Sequence, residues 1–160
     1  MTDDAPRAMF YHMTRAPLEA TLPSLLTRSL SAGWRVVVRG ADPGRLAWLD
    51  ERLWLGDEAG FLPHGMAGGP HDADQPVLLT TDRGRPNGAV CLMVVDGADV
   101  VPEECAGLER LCVLFDGMDE AAVAKARDQW RSLQGTGLAL QYWSEESGRW
   151  AMKTERPAGR

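Results

Sequence analysis

A chain of 160 residues is long enough for one domain that buries about 70 % of the surface its unfolded form exposes, and it needs no disulfide staple. With 44 % hydrophobic and 25 % charged residues the composition is that of an ordinary globular protein, which excludes a disordered chain outside the two ends. A formal net charge of −6 disfavours direct binding of DNA or RNA, because proteins that neutralise many phosphates carry a basic face; the arginines here are scattered except near the C-terminal helix and tail.

Met9-Phe10-Tyr11-His12-Met13 is an apolar run of strand length, broken by Thr14 to Pro17. Leu22, Leu25, Leu26 and Leu30 then recur at helical spacing and Gly33 stands at a C-cap position, so a helix runs to about Ala32. Its start is open: Pro17 as the first helical residue would leave Pro23 as an internal kink, whereas Pro23 could itself open the regular part after Thr21. Trp34 to Arg39, rich in valine, reads as the second strand. Asp42-Pro43 is an N-cap followed by proline at the first helical position, with Leu46, Leu49 and Leu53 along one face of the helix that follows. Pro76 to Thr81 reads as the third strand, Gly84 to Gly88 as a turn, Ala89 to Val95 as the fourth strand and Leu111 to Phe115 as the fifth. The last two are apolar without alternation, as expected of central strands covered on both faces. A final helix spans about Asp119 to Gln134, and Leu138 to Trp143 with Trp150 to Lys153 reads as a hairpin. Strands alternating with helices predict an α/β domain with a mainly parallel sheet and an antiparallel edge. The domain covers 1–153, and 154–160 reads as a disordered tail.

No apolar run approaches the roughly 20 residues of a membrane span. The start, Met1-Thr2-Asp3-Asp4, is acidic where a signal peptide would be basic, so the cytosol is the expected compartment. Cys91, Cys105 and Cys112 form no metal-ligand spacing, and their odd number argues against a secreted disulfide framework. Neither a cofactor nor a metal is expected. There is no phosphate loop, no dinucleotide fingerprint, no nucleophile elbow and no zinc-protease motif. Asp96 and Asp116 close the fourth and fifth strands where α/β enzymes place their chemistry, yet Asp-Gly is also a common way to leave a strand through a turn. His12, His64 and His71 have no partner at ligand spacing; for His64 the expected role is to pin its loop by a hydrogen bond.

Two constellations stand out. The segment Trp54 to Gly69 carries tryptophan, phenylalanine, leucine and methionine on one connection, so its apolar groups either form a satellite core beneath the loop or dock against another protein. In the last helix Val123, Ala126, Trp130 and Leu133 form the inward stripe, with Arg127, Arg131 and Gln134 beside it. Trp130 is thus either a core residue flanked by solvated arginines or the wall of a receptor for an extended segment ending in an aromatic side chain and a carboxylate.

These features in this order resemble the chi subunit of bacterial DNA polymerase III. The residues that carry the resemblance are Phe10-Tyr11, Trp34 to Val38, the segment Leu49-Asp50-Glu51-Arg52-Leu53-Trp54, then Phe61 to Gly69 followed by Gln75-Pro76-Val77, and the helix Ala126 to Arg131. The resemblance runs from Phe10 to about Trp143. It implies a Rossmann-like three-layer fold and a non-enzymatic accessory subunit that links the clamp-loader complex to single-stranded DNA-binding protein. It places Trp54, Phe61, Pro63 and His64 on or next to a surface for the psi subunit. It assigns Arg127 to the terminal carboxylate of the single-stranded DNA-binding protein tail, Trp130 to the pocket for its final phenylalanine and Arg131 to upstream acidic residues. Contact with DNA would be indirect, in keeping with the acidic net charge. The competing expectation is a small hydrolase or nucleotide-binding enzyme using Asp96 and Asp116.

Overall fold

Apolar runs become the inner strands of one eight-stranded sheet, and the leucine repeats become helices lying on it. The computed structural model describes residues 6–55, 63–145 and 148–157. Among these the elements are β1 (Arg7–Met13), α1 (Leu18–Ser31), β2 (Val36–Arg39), α2 (Pro43–Trp54), β3 (Gly65–Met66), β4 (Val77–Thr80), β5 (Cys91–Val94), β6 (Arg110–Asp116), α3 (Glu120–Ser132), β7 (Ala139–Ser144) and β8 (Ala151–Arg156). Strand order is β3-β4-β2-β5-β6-β1-β7-β8. All pairings are parallel except β7 with β8. This is the expected three-layer α/β architecture: α1 and α2 cover one face, α3 the other.

The helix ends follow their sequence signals. Asp42 accepts a hydrogen bond from the Arg45 amide with Pro43 at the first turn, and Leu46, Leu49 and Leu53 are buried. Pro17 caps α1 and Pro23 lies inside it, so the regular part opens before Pro23. At the other end Gly33 takes φ +87°, the Trp34 amide donates to the Ser29 carbonyl and the Gly33 amide to Leu30. That paired closure needs a left-handed residue, which glycine supplies without a Cβ clash. Leu22 and Leu26 are fully buried, each contributing roughly 1.5–3 kcal/mol of apolar burial.

Two departures from the sequence reading concern the sheet edges. Gly65–Met66 pairs in parallel with Leu78–Leu79, so the end of the apolar segment is an edge strand. Two residues carry no periodicity by which to recognise it. At the opposite edge β8 continues through Thr154, Glu155 and Arg156, past the expected boundary at Lys153 and into the segment read as disordered. Those residues pair with Tyr142, Gln141 and Leu140, and the Gln141 amide donates to the Glu155 carboxylate. Polar side chains suit an edge strand facing water, which made this stretch look like a tail.

The β7–β8 connection is tied to the far end of the chain. Glu145 Oε1 accepts hydrogen bonds from the backbone amides of Thr14, Arg15 and Ala16 at 2.9, 2.9 and 3.1 Å, in the loop that leads into α1. Glu145 is 7 % exposed. Desolvation would push its carboxyl up, but the three amides outweigh that and hold it below the ordinary glutamate range. Removing the carboxylate strands the three donors. Glu145→Ala is therefore expected to cost about 2–3 kcal/mol at neutral pH, measured by denaturant unfolding. Because the folded-state value is depressed, this contribution is complete above the ordinary value of 4.5 and is lost as the pH falls through the folded-state value, so the gap between wild type and variant should close with acidification.

Candidate functional site

The end of α2 leaves apolar side chains in water. Trp54 is 52 % and Leu55 76 % exposed, and Met66 of β3 is also exposed. His64, by contrast, is buried. Its ring stacks on Trp54 with centroids 4.2 Å apart, and Nε2 lies 3.2 Å from the Asp50 carbonyl oxygen in α2. The Asp50 carboxylate Oδ1 is equally near, but that contact lacks hydrogen-bond geometry. His64 thus fastens the chain after the loop to α2, as its hydrogen-bonding role required, and its ring supports Trp54 from below. Pro63 is half-buried beside it. Phe61 lies outside the described residues. One turn back, the Arg45 and Arg52 guanidinium groups lie 4.6 and 5.1 Å from the centre of the Trp48 ring.

On α3, Ala126 and Leu133 are buried as the inward stripe requires, while Trp130 is only half-buried. Its ring meets Phe10 edge-on at 5.3 Å and Tyr142 at 6.1 Å, so one side belongs to the core and the other to the surface. Arg127 and Arg131 are exposed next to it. Arg131 pairs with Asp128 at 2.6 Å, whereas Arg127 makes no hydrogen bond or ion pair among the described residues. Trp130 is therefore partly a core residue and partly a surface one.

The group behind Trp130 has no local signal in the sequence. His12 Nδ1 is 2.7 Å from the Tyr142 hydroxyl and Nε2 is 3.3 Å from the Gly117 carbonyl. A carbonyl can only accept, so Nε2 carries a proton, and in the neutral ring Nδ1 accepts from tyrosine. Phe115 lies within 6 Å of both rings. His12 and Tyr142 are 130 residues apart, beyond any local spacing signal.

Asp96 and Asp116 do come together, lining a cavity of about 740 Å³ at the C-terminal ends of β1, β5 and β6. Each carboxylate is engaged in local structure. Asp96, with φ +51°, makes paired hydrogen bonds to Arg45 at 3.1 and 3.2 Å, and Asp116 accepts from the Met118 amide at 2.8 Å. Where a dinucleotide fold would cradle phosphate, at the amides opening α1, the Glu145 carboxylate is already seated. Among the described residues no three His, Cys, Asp or Glu side chains gather as a metal site, and no helix is long and apolar enough to cross a membrane. The cysteines are buried, and burial pushes the Cys105 thiol up to about 11, away from reactivity at neutral pH.

A doubly wound α/β domain with two surface patches built around tryptophan defines the class. The sequence matches the family model described as DNA polymerase III chi subunit, HolC, over residues 5–141, and the chain belongs to that family. It is also 23 % identical over 111 residues to the probable DNA polymerase III subunit chi of Rickettsia prowazekii (strain Madrid E), covering 66 % of this chain and 67 % of the relative. Membership ties the chain to the DNA polymerase III assembly and to DNA replication.

The His12 group demands glycine at 117. A Cβ there would lie 1.8 Å from His12 Cδ2 and 2.9 Å from the Met13 carbonyl oxygen. The ring could swing away but the strand carbonyl could not, so Gly117→Ala should lower stability by about 1–3 kcal/mol in thermal or denaturant unfolding.

Proposed function

We propose that this chain is a non-catalytic accessory subunit that works in the cytoplasm and joins the clamp-loader complex, through psi, to the C-terminal tail of single-stranded DNA-binding protein. The observation that carries the tail site is Arg127: an exposed guanidinium with no ion pair among the described residues, three residues before a half-buried tryptophan on the same helix. Residues at that spacing are neighbours on a helix surface. Arg127 takes the terminal carboxylate, Trp130 walls the pocket for the last phenylalanine, and Arg131, four residues on, meets acidic residues upstream. The Asp128 carboxylate beside them is neutralised by Arg131 in the free protein and exchanges for the incoming acidic chain.

The magnitudes are adequate. A micromolar complex requires about −8 kcal/mol. One buried phenylalanine provides roughly 2–3 kcal/mol, and each charge-assisted bond about 1.5–3 kcal/mol.

Trp54 and Pro63, with Phe61, form the psi surface on this reading, His64 lies next to it as the support beneath Trp54, and the exposed Leu55 extends it. A 76 % exposed leucine beside a half-exposed tryptophan is an apolar area that partner burial would stabilise. Leu55→Glu should leave the melting temperature nearly unchanged and weaken co-purification with psi; undiminished binding would move that surface elsewhere.

The tail site is tested by titrating a labelled tail peptide into the protein. Arg127→Ala is expected to weaken binding about ten- to hundred-fold, the loss of one charge-assisted bond. Trp130→Ala, or a peptide without its last phenylalanine, should weaken it as well. An unchanged affinity for Arg127→Ala would place the site elsewhere.

A further inference from the structure

We infer that Tyr142 and His12 are positioning residues for the tail site, holding Trp130 at the angle that opens its outer side beside Arg127. The inference rests on the tail-binding reading and extends it to residues that touch no peptide.

Trp130 sits at one end of a chain of contacts whose other end is the connection leading into its own helix. Its ring is braced by two edge-on aromatic neighbours, Phe10 at 5.3 Å and Tyr142 at 6.1 Å. Phe10 is fully buried and carries no polar group, so no hydrogen bond holds its ring. Tyr142 is half-buried on β7, and its hydroxyl is fixed by His12 Nδ1 at 2.7 Å. His12 is fixed in turn by donating Nε2–H to Gly117 at 3.3 Å. Gly117 lies in the short connection from β6 to α3, where its own amide donates to the Met13 carbonyl of β1 at 2.7 Å. The circuit runs from α3 through β7 and β1 back to the start of α3. A helix tied to the sheet at its entry and braced by a ring near its end has little freedom to roll about its axis. Arg127 and Trp130 keep a fixed offset of about 60° on the helix, so a roll turns them together and sets how much of the Trp130 ring is left facing outward beside Arg127.

The hydroxyl is the link that can be removed without emptying the core. Edge-to-face ring contact survives in Tyr142→Phe, but the ring loses its tether to His12. The same fluorescence-anisotropy titration with labelled tail peptide is run on wild type, Tyr142→Phe, Trp130→Ala and the double variant, with far-UV circular dichroism to verify the fold. Tyr142→Phe is expected to weaken the tail about three- to ten-fold, the scale of one lost hydrogen bond, and to add nothing once Trp130 is alanine. Coupling of that kind is what a positioning role predicts and general loosening does not. An unchanged affinity in Tyr142→Phe, while Arg127→Ala still weakens binding, would overturn the positioning role and leave the tail site standing. An equal loss in the presence and absence of Trp130 would also overturn it. No binding by folded wild type would overturn both.

Discussion

β1 is the constraint on which the other elements depend. It pairs in parallel along both edges, with β6 from Arg7 to Met13 and with β7 from Arg7 to His12. Successive side chains enter opposite layers: Ala8 and Phe10 go beneath α3, while Met9, Tyr11 and Met13 go beneath α1 and α2. The two aromatic neighbours in this strand each seat a tryptophan, Phe10 holding Trp130 and Tyr11 meeting Trp150 edge-on at 5.3 Å. A slip of one residue would exchange these roles and unseat both at once, which is why a buried two-sided strand admits one register. The surface carried by α3 is in this sense determined on the strand below it.

The edge where open α/β sheets usually take ligands is given over to internal pairing. Asp96 is held by Arg45, Lys125 by Asp99 at 2.7 Å, and buried Arg39 at the end of β2 by Glu104 at 2.6 Å and the carbonyls of Asp82 and Asp99. Asp96 accepts a left-handed backbone to make its contact, at a cost of about 1–2 kcal/mol for a residue with a Cβ. Among the described aromatic side chains Trp54, at the end of α2, is exposed, and Trp130 on α3 is half-buried. Recognition by helix surfaces is compatible with a fold whose crevice has its charges paired internally.

Most of the element order was legible because its signals are local. The Asp42-Pro43 cap, the Gly33 stop, the leucine repeats and the unbroken apolar strands each act within one turn or one strand. Trp130 beside two arginines was legible for the same reason, since helical spacing alone puts them on adjoining stripes. The parts that were not legible join distant residues or have no pattern of their own. Tyr142 reaches His12 from the other end of the chain, and Glu145 reaches Thr14 from equally far. Gly65–Met66 is too short for alternation to show, and Thr154 to Arg156 extends a strand with exposed residues whose composition imitates a tail.

The Glu145 contact has a consequence for how the molecule opens. Its carboxylate accepts from the amides of Thr14, Arg15 and Ala16, so those amides are shielded by a residue that enters the fold with the last strands. The hairpin that closes the sheet and the loop that starts the first helix must therefore come apart together. Solvent exchange at the beginning of the chain then reports the integrity of its end, and the C-terminal hairpin belongs to the same cooperative unit as α1 although the two share no sheet ladder.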